Sequence, residues 1–222
     1  MNLFSQNLRT HFEKHANPTN ALPMQKYMKD TSLFLGIKSP ERVALFKQFI
    51  KENTLPSYSE TLEIVKELWA MPHRELHYCA IDLLFMQRKN YQKEDYLFFE
   101  HLITQNSWWD SVDSINSNVL AHYFKKFPEQ IRPVTERWME TENLWLQRVC
   151  LIFQLPYKKE TDFTLMTDYI LVLSDSKEFF IQKAIGWALR QYARTNPQAV
   201  QHFVENNALK PLSIREALKH IG

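Results

Sequence analysis

Four side chains in this sequence combine acid, cation and aromatic faces in a pattern that suits chemistry on a charged sugar. Trp109 and Asp113 lie in N-S-W-W-D-S-V-D-S (106–114), Arg148 in N-L-W-L-Q-R (143–148), and Trp187 in I-Q-K-A-I-G-W-A-L-R (181–190). A carboxylate stabilises developing positive charge and can orient or activate water. Aromatic faces attract cations and keep water away from a reacting centre. A guanidinium offers a fork of donors to a phosphate or a carboxylate. Together they fit a site that handles a cationic, sugar-like species on a polyanion.

Helical spacing groups these residues. Trp109 stands four positions before Asp113, Trp187 four after Lys183, and Arg190 three after Trp187, so each set shares one helix face. Asp113, Arg148 and Lys183 follow one another at steps of 35 residues. The same step aligns W-L-Q-R-V-C-L-I-F (145–153) with F-I-Q-K-A-I-G-W-A (180–188) and carries Asp113 back to Tyr78. A last copy is I-R-E-A-L-K-H-I (214–221), whose I-x-x-A matches 181–184 at an offset of 33.

The elements that must hold this row are helices. Apolar residues recur at three and four residue steps along nearly the whole chain, and strict alternation is absent. Pro40, Pro72, Pro128, Pro197 and Pro211 each read as a first helical position. Roughly twelve or thirteen helices of ordinary length result. Helix pairs at this period cannot bury their apolar faces alone and must stack on neighbours, which makes a solenoid of degenerate HEAT-like repeats. The W-x-x-L-G-x-x-Y signature of tetratricopeptide repeats is missing. No stretch rich in Pro, Gly or Ser divides the chain, so residues 1–222 read as one domain. The C-terminal segment from Lys210 reads as a capping helix.

Composition narrows the functional classes. The 222 residues are 45% hydrophobic and 23% charged, the balance of a folded chain with a sizeable core. Only three glycines are present, which disfavours glycine-rich phosphate loops. A net charge of +2 does not by itself imply a polyanion partner; cations must be gathered on one surface. The N-terminus lacks the apolar core of a signal peptide, and no run approaches the roughly 20 apolar residues that span a bilayer. Cys79 and Cys150 sit in apolar helical runs and read as buried thiols, which fits a reducing cytoplasm.

Plainer roles compete at several positions. Trp69, Trp138 and Trp145 read as core, and of Trp108 and Trp109 one can be core while the other faces out. Asp110 suits a helix cap or first turn, whereas Asp113 lies deeper, where an acid calls for a partner or a task. Arg148 sits within an apolar run and requires either a structural ion pair or a phosphate. H-R-E-L-H (73–77) lacks the glutamate directly after its first histidine that a zincin helix needs, and no metal site is expected.

Over essentially its whole length the chain resembles the bacterial AlkD-type DNA alkylation-repair glycosylases. The resemblance rests on P-M-Q-K-Y-M-K (23–29), F-L-G-I-K-S-P-E-R (34–42), S-W-W-D-S-V-D-S-I (107–115), W-L-Q-R (145–148), S-K-E-F-F-I-Q-K-A-I-G-W (176–187) and L-R-Q-Y-A-R-T-N-P (189–197). It implies an all-α, right-handed superhelical solenoid of HEAT-like repeats with a concave DNA-binding face. It further implies hydrolysis of the N-glycosidic bond of cationic N3-alkyladenine and N7-alkylguanine in duplex DNA, without base flipping.

Under that resemblance Asp113 is the catalytic carboxylate, and Trp109 and Trp187 lie against the lesion's deoxyribose. Arg148 holds the DNA backbone and Tyr27 lines the site. Lys183, Arg190, Arg42, Lys47 and Arg194 are the further candidates for phosphate. The implied protein needs no metal or organic cofactor and no obligate protein partner, and acts as a cytoplasmic, nucleoid-associated monomer. Two other readings stay open: a catalytically silent protein that binds distorted DNA, and a protein–protein scaffold.

Overall fold

A computed structural model describes residues 1–219. Fourteen α-helical segments are present among them, and no strand beyond an isolated bridge between Leu33 and His73. The all-α class and the stacked helices agree with an α-solenoid. Two of the segments, α7 (Trp109–Ile115) and α8 (Ala121–Lys126), are joined by a π turn at Asn116–Leu120 into one unbroken helix.

Most helix starts have a local cause. Asn2, Asn17, Asn143, Asp162 and Asn196 each accept a first-turn backbone N–H, and Ser57 forms a reciprocal capping box with Glu60. Pro197 and Pro211 open their helices, Pro40 stands second in its own, and Pro128 begins a short 3₁₀ turn. Pro72 departs from its expected place. The bridge between Leu33 and His73, closed by the Arg74 N–H donating to the Leu33 carbonyl at 2.9 Å, keeps the backbone extended until Arg74.

The helices cluster into two compact units, Met1–Gln92 and a second beginning at Lys93, although no linker-like composition marks the division. The first unit holds α1 (Leu3–Glu13), α2 (Pro18–Tyr27), α3 (Ser39–Glu52), α4 (Tyr58–Trp69) and α5 (Arg74–Met86). Leu8, Phe12, Phe49, Ile64, Leu68, Trp69 and Leu76 fill its core. Its keystone is Glu75, fully buried, whose carboxylate accepts the backbone N–H groups of Leu35, Gly36 and Ile37 at 2.9–3.1 Å. Gly36 has φ +86° and lies so close to the Asn17 carbonyl that a Cβ would stand 2.0 Å from its oxygen. The H-R-E-L-H segment thus does structural work: His77 is buried against the Trp69 ring, with a ring-centroid distance of 4.9 Å.

The second unit comprises α6 (Tyr96–Thr104), α7, α8, α9 (Ile131–Met139), α10 (Leu144–Ile152), α11 (Phe163–Val172), α12 (Phe179–Ala193), α13 (Pro197–Asn206) and α14 (Pro211–Ala217). Residues 220–222, which close the last repeat copy, lie outside the described residues. Helix α10 is central, packing against α6, α7, α9, α11 and α12. The repeat is written in its hydrogen bonds. Lys125 pairs with Glu160 and Lys210 with Asp175, each 35 residues apart, and the Tyr157 hydroxyl donates to the Ala121 carbonyl 36 residues back. No helix among the described residues is long and apolar enough to cross a membrane.

Candidate functional site

The site is built on α7, α10 and α12. Trp108 precedes α7 with an extended backbone, and its carbonyl receives the first intrahelical N–H, from Val112. Asp110 sits in the first turn, where an acid suits the helix dipole, so Asp113 lies a full turn inside. The π turn that follows carries Asn116, fully buried, whose amide donates to the Ile152 carbonyl at the end of α10 at 2.9 Å. That bond ties α7 to α10 one turn beyond Asp113.

Asp113 and Arg148 meet directly. Nε and Nη2 of Arg148 donate to the two carboxylate oxygens at 2.8 Å each, and Nη1 donates to the Phe180 carbonyl in the first turn of α12 at 2.6 Å. The arginine side chain is 5% exposed and the aspartate 17%. The guanidinium, expected to hold the DNA backbone, is here buried and bonded to the acid. This is the ion-pair branch of the two possibilities for an arginine inside an apolar run. Burial pushes the Asp113 carboxyl above its ordinary value; the Arg148 fork pulls against burial, and the nearby Asp110 charge adds to the rise.

An aromatic cluster adjoins this pair through Phe180. Trp108, Trp145 and Phe180 pack edge-on or tilted at centroid distances of 5.1–5.9 Å, and the Arg148 guanidinium lies 5.9 Å from the Phe180 ring. Trp145, expected as core, is only half-buried and belongs to this cluster, whereas Trp69 and Trp138 are buried as expected. Trp109 is half-buried one turn before Asp113 on α7, and Trp187 is half-buried on α12.

The other expected cations divide into two groups. Lys183 and Arg190 flank Trp187 on α12, and both bind Glu216 of α14, at 2.9 Å and 2.6 Å. The carboxyl of Glu216 is held down to about 2, chiefly by the hydrogen bonds from Lys183 and Arg190. In the first unit Arg42, expected as a phosphate contact, has an acidic partner. It is buried, bonds Asp82 at 2.5 Å and lies 5.5 Å from the Tyr78 ring. Lys47 on α3 and Tyr27 at the end of α2 are exposed, as is Arg194 just after α12.

The row of residues at 35-residue steps is therefore a row of ion pairs. Asp113 pairs with Arg148, and Lys183 pairs with Glu216, 33 residues on. Sequence reasoning missed Glu216 although the signal was present: the I-x-x-A match of 214–217 to 181–184 places it opposite Lys183. Asn116 and the Phe180 carbonyl carried no such signal, since their roles depend on backbone placement. Among the described residues, no cluster of three His, Cys, Asp or Glu side chains could hold a metal ion. Both cysteines are buried, and burial pushes their thiols far up.

Chemically, the arrangement offers a carboxylate with fixed orientation and restricted hydration, joined through Arg148 to α12, the helix that carries Trp187 and a paired set of cations. A family model described as DNA alkylation repair enzyme matches residues 8–221. The solved structure of a "Predicted DNA alkylation repair enzyme from Enterococcus faecalis" is 35% identical over 93% of this chain and 97% of that chain, with a TM-score of 0.87. A search of curated proteins finds no match.

Proposed function

Because the chain belongs to the DNA alkylation repair enzyme family, we propose that it is an AlkD-type glycosylase that hydrolyses the N-glycosidic bond of cationic alkylpurines in duplex DNA. The observation that carries this reading is the Asp113 carboxylate, locked by the Arg148 fork at 2.8 Å on both oxygens yet still partly open. N3-alkyladenine and N7-alkylguanine already carry positive charge, so the base departs without a general acid. The remaining barrier is the positive charge that develops on the deoxyribose. Asp113 lowers it electrostatically and orients the attacking water, and its fixed position means little reorganisation at the moment of reaction. Trp109 and Trp187 supply faces for the sugar and exclude bulk water.

The geometry of Arg148 supports a positioning role. Two charge-assisted bonds hold Asp113 in one rotamer and favour its ionised form, while burial opposes ionisation. Arg148 thus acts as a positioning residue, and the DNA backbone is left to cations nearer the surface. Neutral damaged bases leave reluctantly, so lesions should be discriminated by charge.

The test is incubation with methylated duplex DNA and measurement of free 7-methylguanine and 3-methyladenine. Asp113→Asn keeps the side-chain shape, removes the charge and should lower release by at least about 100-fold, the range for loss of a charge-stabilising group. Tight binding without any release by the wild type would instead identify a silent DNA-binding protein.

A further inference from the structure

Glu216 has no part in the reading above, yet its carboxylate binds the two cations that flank Trp187 on α12. We propose that Glu216 is a built-in competitor for DNA phosphate, which restrains the two cations flanking Trp187 and so sets the strength and salt dependence of DNA binding. The inference rests on the glycosylase reading for its DNA ligand.

The geometry begins with Gly186. On α12 it directly precedes Trp187, and a Cβ there would stand 2.4 Å from the Glu216 Cβ and 2.9 Å from the Ser213 carbonyl oxygen. The missing side chain lets α14 press onto α12, and the Ser213 hydroxyl fastens the contact by donating to the Gln182 carbonyl at 3.0 Å. This close approach delivers the Glu216 side chain between Lys183 and Arg190. Oε1 meets Lys183 Nζ at 2.9 Å and Oε2 meets Arg190 Nη1 at 2.6 Å; Arg190 Nη1 also donates to the Glu216 carbonyl at 3.2 Å.

Each carboxylate oxygen is thus committed to one cation, and Glu216 stays ionised throughout the physiological range because its carboxyl is held near 2. Lys183, Trp187 and Arg190 fall at i, i+4 and i+7 on one helix face. Lys183 keeps 37% of its side chain exposed and Arg190 22%, so both remain reachable from solvent. A phosphate approaching Trp187 meets a cluster of net charge +1 rather than +2. It must share or displace a carboxylate that is already in place. Here the carboxylate weakens the attraction for polyanion that those cations create.

The experiment measures binding of an intact labelled duplex by wild type and Glu216→Gln across about 50–200 mM salt. The amide is isosteric, keeps one acceptor and removes the charge. Tighter binding by about 5–10-fold is expected, with a salt slope steeper by about one, the contribution of one further phosphate contact. In a Lys183→Gln background the gain should shrink, because one of the two restrained cations is already gone. Unchanged or weaker binding by Glu216→Gln overturns the assignment, as does a gain in affinity that persists undiminished in the Lys183→Gln background. If Glu216→Gln loses cooperative unfolding, Glu216→Asp replaces it. One methylene shorter, it cannot reach both cations and should give a smaller change of the same sign. Failure of the glycosylase reading is visible separately, as absence of base release by the wild type whatever the variant-to-wild-type binding ratio.

Discussion

Replacing Arg148 by methionine separates its service to Asp113 from any direct hold on DNA. Methionine keeps most of the apolar stem but removes two charge-assisted hydrogen bonds to Asp113 and one to the Phe180 carbonyl. Each bond to a charged group contributes roughly 1.5–3 kcal/mol. Breaking a pair this buried costs about 3–5 kcal/mol, because the partner charge is left without compensation. The lower part of that range is expected here, since Asp113 keeps 17% exposure and can recruit water. Denaturant unfolding reads the loss directly.

The same variant has a pH signature. Burial already raises the Asp113 carboxyl above its ordinary 3.8, and Arg148 is the main opposing influence. Without it the folded-state value climbs further, so the acid limb of base release, where the carboxylate must be ionised, moves to higher pH. The folded protein then holds the Asp113 proton more tightly than the unfolded chain, so stability falls as pH rises through the raised value and recovers on acidification towards 3.8. Combining Arg148→Met with Asp113→Leu removes both charges and should restore much of the lost stability. The reasoning is refuted if Arg148→Met unfolds within about 0.5 kcal/mol of wild type, the range of an inconsequential surface change, and its acid limb does not move. A loss of DNA affinity with a salt slope reduced by about one, and nothing else, would return Arg148 to the phosphate.

Two further perturbations probe the supports of the site. Gly186→Ala places a methyl 2.4 Å from the Glu216 Cβ, so α14 must shift; a loss of about 1–3 kcal/mol in denaturant unfolding is expected, and wild-type stability would show that α14 is not seated as described. Glu75→Ala leaves the Leu35, Gly36 and Ile37 N–H groups without their acceptor in a fully buried setting. At roughly 1–3 kcal/mol for each unsatisfied donor, the loss should exceed about 3 kcal/mol, and hydrogen exchange at these three amides should accelerate relative to the core of α10.

Helix class, repeat step and the leading acid were legible in the sequence because they depend on periodicity. Apolar spacing fixes which face of a helix is buried, and a 35-residue recurrence places Asp113 beside Arg148 when helices stack. The recurrence could not supply the sign of that meeting. An arginine inside an apolar run can turn outward to a phosphate or inward to a carboxylate, and only the packing of α10 between α7 and α12, with the Phe180 carbonyl as third acceptor, turns it inward. Arg42 shows the same limit, since Asp82 stands 40 residues away, off the repeat step, and no periodic argument couples them.

The chain by itself thus determined an all-helical repeat with an acid, two tryptophans and several cations in register, since these follow from local spacing and burial. Tertiary structure alone decided which charges answer one another. Pairing depends on the close approach of backbones, such as α14 settling onto Gly186, and on carbonyls such as those of Phe180 and Ile152, whose positions no side-chain pattern encodes.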